Sequence, residues 1–345
     1  MQTMNRPLLA TELLNSPKPV VSERFAGHIA QEAYGFSPQV VPLTGERDCN
    51  FLATSARGTK YVLKFANGSE PEVETQFQIA LLRHLESRGA TTMAPRHLVS
   101  GDGSDYLVMR DEAGRDCQVR SYSYLHGITG VRAETSAAHR RSLGSALGRF
   151  DKVLHGFEHA GMQRDFLWNL MQLGQLKPLV RHIDDLVLRD IASKFIAAFE
   201  ASISLALSGM RQQAIHNDLS KSNYLVQDSN HDSIAGILDF GDVVVAPLVC
   251  DPAIAASYQM PDAGDPLAAM DELLEGYAEE IPLTEDERRH VLDLVLARVV
   301  QRLVLTEWRA AMFPENRDYI LRYNPDARRL AMLLAPLWRR MSPHA

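Results

Sequence analysis

The chain has 345 residues, 46% of them hydrophobic and 23% charged, the balance of an ordinary soluble globular protein with room for one large or two modest cores. Its 36 Lys and Arg stand against 43 Asp and Glu, a formal net charge of −7 that removes electrostatic support for a nucleic-acid partner. Cys49, Cys117 and Cys250 are scattered and odd in number, which argues against a disulfide framework and against paired zinc ligands.

Residues 1–20 read as an N-terminal extension, with prolines and no apolar core of the kind a signal peptide needs. Three short strands follow at Val40–Thr44, Asn50–Ser55 and Lys60–Ala66, separated by turn residues (Gly45-Glu46-Arg47-Asp48 and Arg57-Gly58). From Glu72 to Arg88 the apolar spacing turns helical through Val73, Phe77, Ala80, Leu81 and Leu85. Further strands are expected at Arg96–Ser100, Tyr106–Met109 and Gln118–Leu125. The predicted first lobe, residues 21–120, is a small antiparallel sheet with one helix, expected to hold five strands drawn from these six candidate segments.

The second lobe, 121–345, reads as mostly helical. Leu143, Leu147, Phe150 and Leu154 give an amphipathic stretch over Ala133–Phe157, and helices are expected at Lys177–Leu207, Asp265–Glu279 and Thr284–Ala311. The last opens with the capping-box pattern Thr284-Glu285-Asp286-Glu287. An island of β-like sequence, Ala214–Val245, interrupts these helices, with strands at Asn223–Gln227 and Ile234–Phe240. No apolar run reads as long enough to span a bilayer: the best candidate, Ile237–Tyr258, is broken by Asp239, Asp242 and Asp251. The expectation is a soluble, cytoplasmic protein with no membrane partner.

The island carries the chemistry. His216-Asn217-Asp218-Leu219-Ser220-Lys221-Ser222-Asn223 fits the kinase catalytic-loop spacing H-x-D-L-x-x-x-N, and Asp239-Phe240-Gly241 ends the second apolar strand. Phosphoryl transfer spreads negative charge over oxygens, so its site must gather a cation and hold an attacking hydroxyl in line. One carboxylate orients the hydroxyl; a second, with an amide, binds metal. Asp218, Asp239 and Asn223 fill those roles if the two strands pair. Singly, Asn-Asp-Leu-Ser is more often a turn and Asp-Phe-Gly arises by chance; the two in this order at hairpin distance are a far stronger signal.

Lys64, in Tyr61-Val62-Leu63-Lys64-Phe65, resembles the strand lysine that holds nucleotide phosphates. Such a lysine leans on a helix carboxylate, for which Glu74 is preferred over Glu72. There is no G-x-G-x-x-G loop; Gly45 and the amides after it are the substitute cover for the phosphates, with an ordinary hairpin turn as the equal alternative. An A-P-E segment is absent too, which speaks against a protein kinase.

These strings, together with Val119-Arg120-Ser121-Tyr122-Ser123-Tyr124-Leu125, Arg164-Asp165-Phe166-Leu167-Trp168 and the run from Asp239 through Val249-Cys250-Asp251-Pro252, resemble the aminoglycoside phosphotransferase and choline kinase branch of the protein-kinase-like superfamily. Within it they are most similar to the hydroxylysine kinase-type enzymes. The resemblance implies an α+β bilobal kinase-like fold and a Mg2+-dependent transfer from ATP or GTP. It implies Asp218 as base, Asn223 and Asp239 as metal ligands, Lys64 on the phosphates, and the backbone around Tyr122 and Tyr124 as the purine-reading hinge. Asn217 stands where such enzymes often have glycine.

The implied acceptor is a small hydroxylated amine or amino acid, with 5-hydroxylysine first. Choline, ethanolamine, homoserine or an aminoglycoside are the alternatives within the class, and a nucleotide-binding scaffold without activity is the alternative outside it. The apolar segment Val243–Val249 favours a small acceptor over a polycation. Asp242 is the candidate acid for an ammonium, Arg298 and Arg302 the candidate cations for a carboxylate, and Trp168 a candidate wall. For the two arginines, structural ion pairing is the stronger alternative.

Overall fold

A computed structural model describes residues 18–43, 45 and 48–341; most of the expected N-terminal extension, and Thr44, Glu46 and Arg47 of the phosphate-cover turn, lie outside these. The chain divides into two compact units, the first running through His126 with His159–Gly161 added, the second comprising 127–158 and the residues from 162 onward.

The first unit opens with α1 (Glu23–Tyr34), a helix absent from the expected elements. Its ends are well marked: Ser22 accepts the Phe25 amide, and Gly35 closes it in the left-handed region at φ 64°. Next come β1 (Val41–Leu43), β2 (Cys49–Thr54), β3 (Lys60–Ala66), α2 (Glu72–Ser87), β4 (His97–Leu98), β5 (Leu107–Arg110) and β6 (Asp116–Ser123). They form a six-stranded antiparallel sheet in the order β1-β2-β3-β6-β4, with β5 also on β6. Six strands replace the expected five because β4 pairs with Ser121 and Tyr122 while β5 pairs with residues 116–119, so both share one edge of β6 end to end. β6 also runs across the expected boundary at residue 120. Phe51, Leu63, Phe65 and Val119 pack one face of the sheet against Ala26 and Ala30 of α1. Each such buried large side chain contributes about 1.5–3 kcal/mol by leaving water.

The second unit contains β7 (Ile128–Thr129), α3 (Ala137–Leu154), a long 3-10 segment (Leu170–His182), α4 (Leu186–Ala198) and α5 (Ser204–Ser208). After these come β8 (Gln212–Ile215), β9 (Tyr224–Gln227), β10 (Asn230–Ile237) and β11 (Val244–Pro247). The helices α6 (Cys250–Gln259), α7 (Pro266–Glu280), α8 (Glu285–Arg289), α9 (Val291–Met312), α10 (Arg317–Leu321) and α11 (Asn324–Met341) complete it. The expected Leu143, Leu147, Phe150 and Leu154 stripe of α3 is fully buried. α3 meets α7 at glycines: a Cβ at Gly144 would sit 2.0 Å from the Leu273 carbonyl oxygen, and one at Gly276 would sit 1.9 Å from that of Arg141. The capping box closes as expected, with Thr284 and Glu287 bonding each other's amides, but the helix it starts breaks at His290.

α9 is buried on nearly every side, and packs with α6, α11 and the 3-10 segment. One run, Leu186–Ser208, is long and apolar enough by length and composition to cross a membrane, which corrects the expectation that none is. It is one face of a core: Leu188, Ile191, Phe195, Ile196, Phe199 and Ile203 are buried, a π turn at Phe199–Ile203 interrupts it, and Asp190 pairs with Lys194 at 2.8 Å on its outer side.

Candidate active site

One hairpin and a second antiparallel strand pair that brackets it assemble the polar centre of the second unit. β9 pairs antiparallel with β10, Tyr224 opposite Ile237, and β11 pairs with β8, Val244 opposite Ile215. The residues that connect these strands therefore converge: the Leu238 amide donates to the Asn223 carbonyl at 2.8 Å, bringing the loop ending at Asn223 beside Asp239. His216 ties the same parts together. Its Nε2 meets the Leu238 carbonyl oxygen at 2.9 Å, and its Nδ1 accepts the Asp218 amide at 3.2 Å, a pair of bonds that places the ring proton on Nε2. Phe240 stacks on Phe150 at 5.7 Å and lies edge-on to His216 at 5.7 Å, so the Asp-Phe-Gly phenylalanine braces the loop.

The loop hangs from Asp251. Its buried carboxylate accepts the His216 amide at 2.7 Å and the Asn217 amide at 2.8 Å. Between them the backbone bends into the left-handed region at Asn217, φ 66°, where asparagine is tolerated and glycine preferred. The departure from glycine thus keeps the bend. Beneath Asp251 lies Asp151, which accepts the Tyr277 hydroxyl at 2.7 Å. Burial and the adjacent Asp251 charge push the Asp151 carboxyl well above its ordinary range, so the proton of this pair resides on Asp151.

Asp218 is held from three sides. Tyr258 Oη donates to Oδ1 at 2.7 Å, Arg298 Nη2 to the same oxygen at 2.7 Å, and Asn223 Nδ2 to Oδ2 at 2.8 Å. Oδ1 has spent both lone pairs and Oδ2 only one, which leaves Oδ2 free to accept an incoming hydroxyl. Asn223 Nδ2 also donates to the Asp218 carbonyl at 2.9 Å, so the amide's orientation is fixed and its Oδ1 remains as an acceptor. Asp239 sits exposed at φ 61°, another left-handed non-glycine position of the kind that functional sites retain. Asp242, half-buried, is pushed up to about 8 by burial and by the charges of Asp218 and Asp239, against the opposing pull of Arg298 and Arg164.

These donors suit a divalent cation. Three carboxylates lie close enough for Asp218 and Asp239 to oppose ionisation of Asp242, and that excess of negative charge is what a hard cation relieves. Among the described residues no group of three or more His, Cys, Asp or Glu side chains forms a dedicated metal cage.

The candidate cations of α9 separate. Arg298, 1% exposed, bonds Asp218, Tyr258 at 3.0 Å, Gln301 at 2.9 Å and the Trp168 carbonyl at 3.3 Å, and it lies 5.0 Å over the Trp168 ring. Trp168 is thereby at the site, half-buried. Arg302 lies 4.6 Å from the centre of the Tyr258 ring.

In the first unit, Lys64 lies opposite Asn50 on β2 and Arg120 on β6. The carboxylate against it is Asp48, at 2.7 Å, in place of the expected helix acid Glu74. The register explains the correction: Asp48 precedes Asn50 by two residues and is Lys64's diagonal neighbour on the same face. Burial works against the Lys64 charge, but Asp48 outweighs it and raises the ammonium above its ordinary value. Glu70, just ahead of α2, pairs with the fully buried Arg120 at 2.7 Å. At Gly45 a Cβ would meet the Asp48 carbonyl at 2.5 Å and Asn50 Nδ2 at 2.7 Å.

Tyr122 and Tyr124, the expected hinge positions, lie at the end of β6 and just after it. Tyr122 is paired on both sides, with Val62 and His97, and the amides of Ser123 and Tyr124 already donate to Arg96 and Lys60. Backbone beyond β6 becomes available at Leu125 and His126, which with Tyr124, Lys60, Tyr61 and Arg96 line a cavity of about 440 Å³.

Asp48 and Asp151 are out of reach of motif spacing; of the two only Asp48 has a signal, the strand register. Fold and site together define a kinase-like phosphotransferase that moves a nucleotide phosphate onto a small molecule's hydroxyl. The chain belongs to the phosphotransferase enzyme family, whose sequence pattern matches residues 39–289. It is 29% identical to the hydroxylysine kinase of Mus musculus over 331 residues, covering 89% of this chain and 87% of that protein. It is 28% identical to the hydroxylysine kinase of Danio rerio over 318 residues, covering 88% of each. Among solved structures, the amicoumacin kinase hAmiN in complex with AMP-PNP, Ca2+ and Ami superposes with a TM-score of 0.66 at 17% identity, over 92% of this chain and 96% of that one. Choline kinase LicA of Streptococcus pneumoniae gives 0.54 at 13%, over 87% and 94%. At these identities the structures speak for the fold.

Proposed function

We propose that this phosphotransferase moves the γ-phosphate of ATP or GTP to the side-chain hydroxyl of 5-hydroxylysine, with magnesium on Asp239 and Asn223. The observation that carries the reading is the match to hydroxylysine kinases along nearly nine-tenths of the chain. The half-buried Asp218 pocket, with cations and a carboxyl around it, suits a zwitterionic acceptor.

In this reading Asp218 Oδ2 accepts the hydroxyl proton as the hydroxyl oxygen bonds to the γ-phosphorus, and the bond from phosphorus to the β–γ bridging oxygen breaks to release nucleoside diphosphate. Tyr258 and Arg298 hold the carboxylate still, so the alignment costs nothing at the moment of transfer. Magnesium, when bound, supplies charge neutralisation at the phosphate oxygens. Lys64 serves the phosphates, exchanging Asp48 for them. Asp242 and Trp168 border the acceptor. Cys49, Cys117 and Cys250 form no disulfide, in keeping with a cytoplasmic setting.

The test is a panel of 5-hydroxylysine, choline, ethanolamine, homoserine and kanamycin, each with ATP and with GTP, read by nucleoside diphosphate release. 5-Hydroxylysine is expected to give a kcat/KM at least tenfold above the others with one of the donors. No turnover of it with either donor overturns the acceptor assignment. A thermal shift that nucleotide produces equally with and without magnesium would instead favour an inactive scaffold.

A further inference from the structure

The two arginines one turn apart on α9 differ in what they have left to offer. Arg298 is consumed: its Nη1 donates to Gln301 and to the Trp168 carbonyl, and its Nη2 to Asp218 and Tyr258. Its Nε is sealed from solvent without a partner. A guanidinium so engaged cannot also receive a substrate. It is a positioning residue for the base.

Arg302 is the opposite case. It is 8% exposed, yet among the described residues its guanidinium donates no hydrogen bond and meets no carboxylate within 4.0 Å. What it touches is the face of Tyr258, with Cζ 4.6 Å from the ring centre. A guanidinium taken out of water without an acid is costly, and a ligand carboxylate would offset that cost. Its nitrogens, unlike Arg298 Nε, are not among the sealed polar atoms, so a solute reaches them. Tyr258 links the two ends of the site: its hydroxyl is on Asp218 at 2.7 Å and its ring lies against Arg302. A small acceptor whose hydroxyl meets Asp218 and whose body lies along Tyr258 brings its far end to Arg302.

Resting on the acceptor reading above, we infer that Arg302 receives the acceptor's α-carboxylate, by a two-pronged guanidinium–carboxylate bond, and so selects amino acids over the corresponding amino alcohols. Burial, together with the nearby Arg298 charge, holds Arg302 below an ordinary guanidinium even though Tyr258, Asp218 and Asp326 favour its charge.

The experiment compares 5-hydroxylysine with its decarboxylated counterpart, 1,5-diaminopentan-2-ol, as acceptors for the wild type, Arg302→Gln and Arg302→Lys. The wild type is expected to favour the amino acid about a hundredfold in kcat/KM, a ratio that Arg302→Gln collapses to within a few-fold of one and Arg302→Lys partly restores. A ratio in Arg302→Gln equal to that of the wild type, both acceptors falling together, assigns Arg302 to packing and overturns the inference. The unreactive pair L-lysine and cadaverine keeps this apart from the acceptor reading and from any folding defect of the variants. If the wild type turns over neither hydroxylated compound, the acceptor reading fails. The carboxylate receptor still stands if L-lysine raises the wild-type melting temperature and cadaverine does not. Equal shifts from the two overturn it.

Discussion

Two ion pairs of the same length, Lys64 with Asp48 and Arg298 with Asp218, each hold one residue of the proposed transfer chemistry, but in opposite senses. In the first the working group is the cation, 22% exposed along its side chain, and its partner comes from a turn. In the second the working group is the carboxylate, 22% exposed, and its partner is an arginine 1% exposed in the middle of a core helix. A pair whose two members both reach solvent can be exchanged for a ligand at small cost. A pair with one member sealed in the core cannot, because separating it leaves a buried charge. The first pair is a resting place, the second a clamp.

The sharpest way to break that contrast is Asp218→Asn. Loss of the base is expected to lower turnover about a thousandfold while nucleotide affinity stays within roughly twofold, as steady-state kinetics and calorimetric titration would show. Retained turnover would make Asp218 a spacer. A smaller effect separates the members of the exchangeable pair. Lys64→Met is expected to weaken nucleotide binding roughly 10- to 100-fold, the worth of a charged hydrogen bond or two, whereas Asp48→Asn changes it only a few-fold. Equal losses from both would mean that the pair is a fixed structural element like the clamp.

The smallest effect lies under the loop, at Asp151. Its carboxyl is raised by burial and by Asp251, so between the ordinary aspartate value of 3.8 and its higher native value the folded chain binds a proton that the unfolded chain has lost. Stability contributed by this group is complete below that window and falls as pH rises through it, by up to about 1.4 kcal/mol per pH unit. Asp151→Asn keeps a donor for Asp251 and removes the titration. Its melting temperature is expected to match the wild type near pH 4 and to exceed it by a growing margin as pH rises, a few degrees by pH 7. A wild type that loses no more stability than the variant over that range would show the Asp151 carboxyl to be ionised already.

What could be read from the sequence follows the same division. Asp218, Asn223 and Asp239 were legible because the residues that set their geometry are neighbours in the chain: a bend, a pair of strands and the spacing between them. The alternation of Leu63 and Phe65 around Lys64 marked its strand, and the α3 stripe marked its helix. Glu74 is displaced by Asp48 as the partner of Lys64 because that pairing depends on a strand register. The α9 arginines were indistinguishable because Arg298 and Arg302 share a helix face, and what separates them is supplied by Trp168, Gln301 and Tyr258, each distant in sequence. The run from Leu186 to Ser208 reads as an ordinary helix in the sequence, and its apolar length is underestimated there, since helical spacing alone does not measure it. α1 went unread although Ser22 and Gly35 flank it with ordinary stop and start chemistry.

The glycine seam between α3 and α7 reaches further than packing. Gly276 is followed directly by Tyr277, whose hydroxyl meets Asp151 on the facing helix, and Asp151 underlies the carboxylate from which the catalytic loop hangs. The spacing of two helices is thus a dimension of the loop itself. Swapping helix glycines for alanine, a routine route to heat resistance, is closed along this line, and improvement of the enzyme's durability has to be sought elsewhere, on surfaces that carry no such lever.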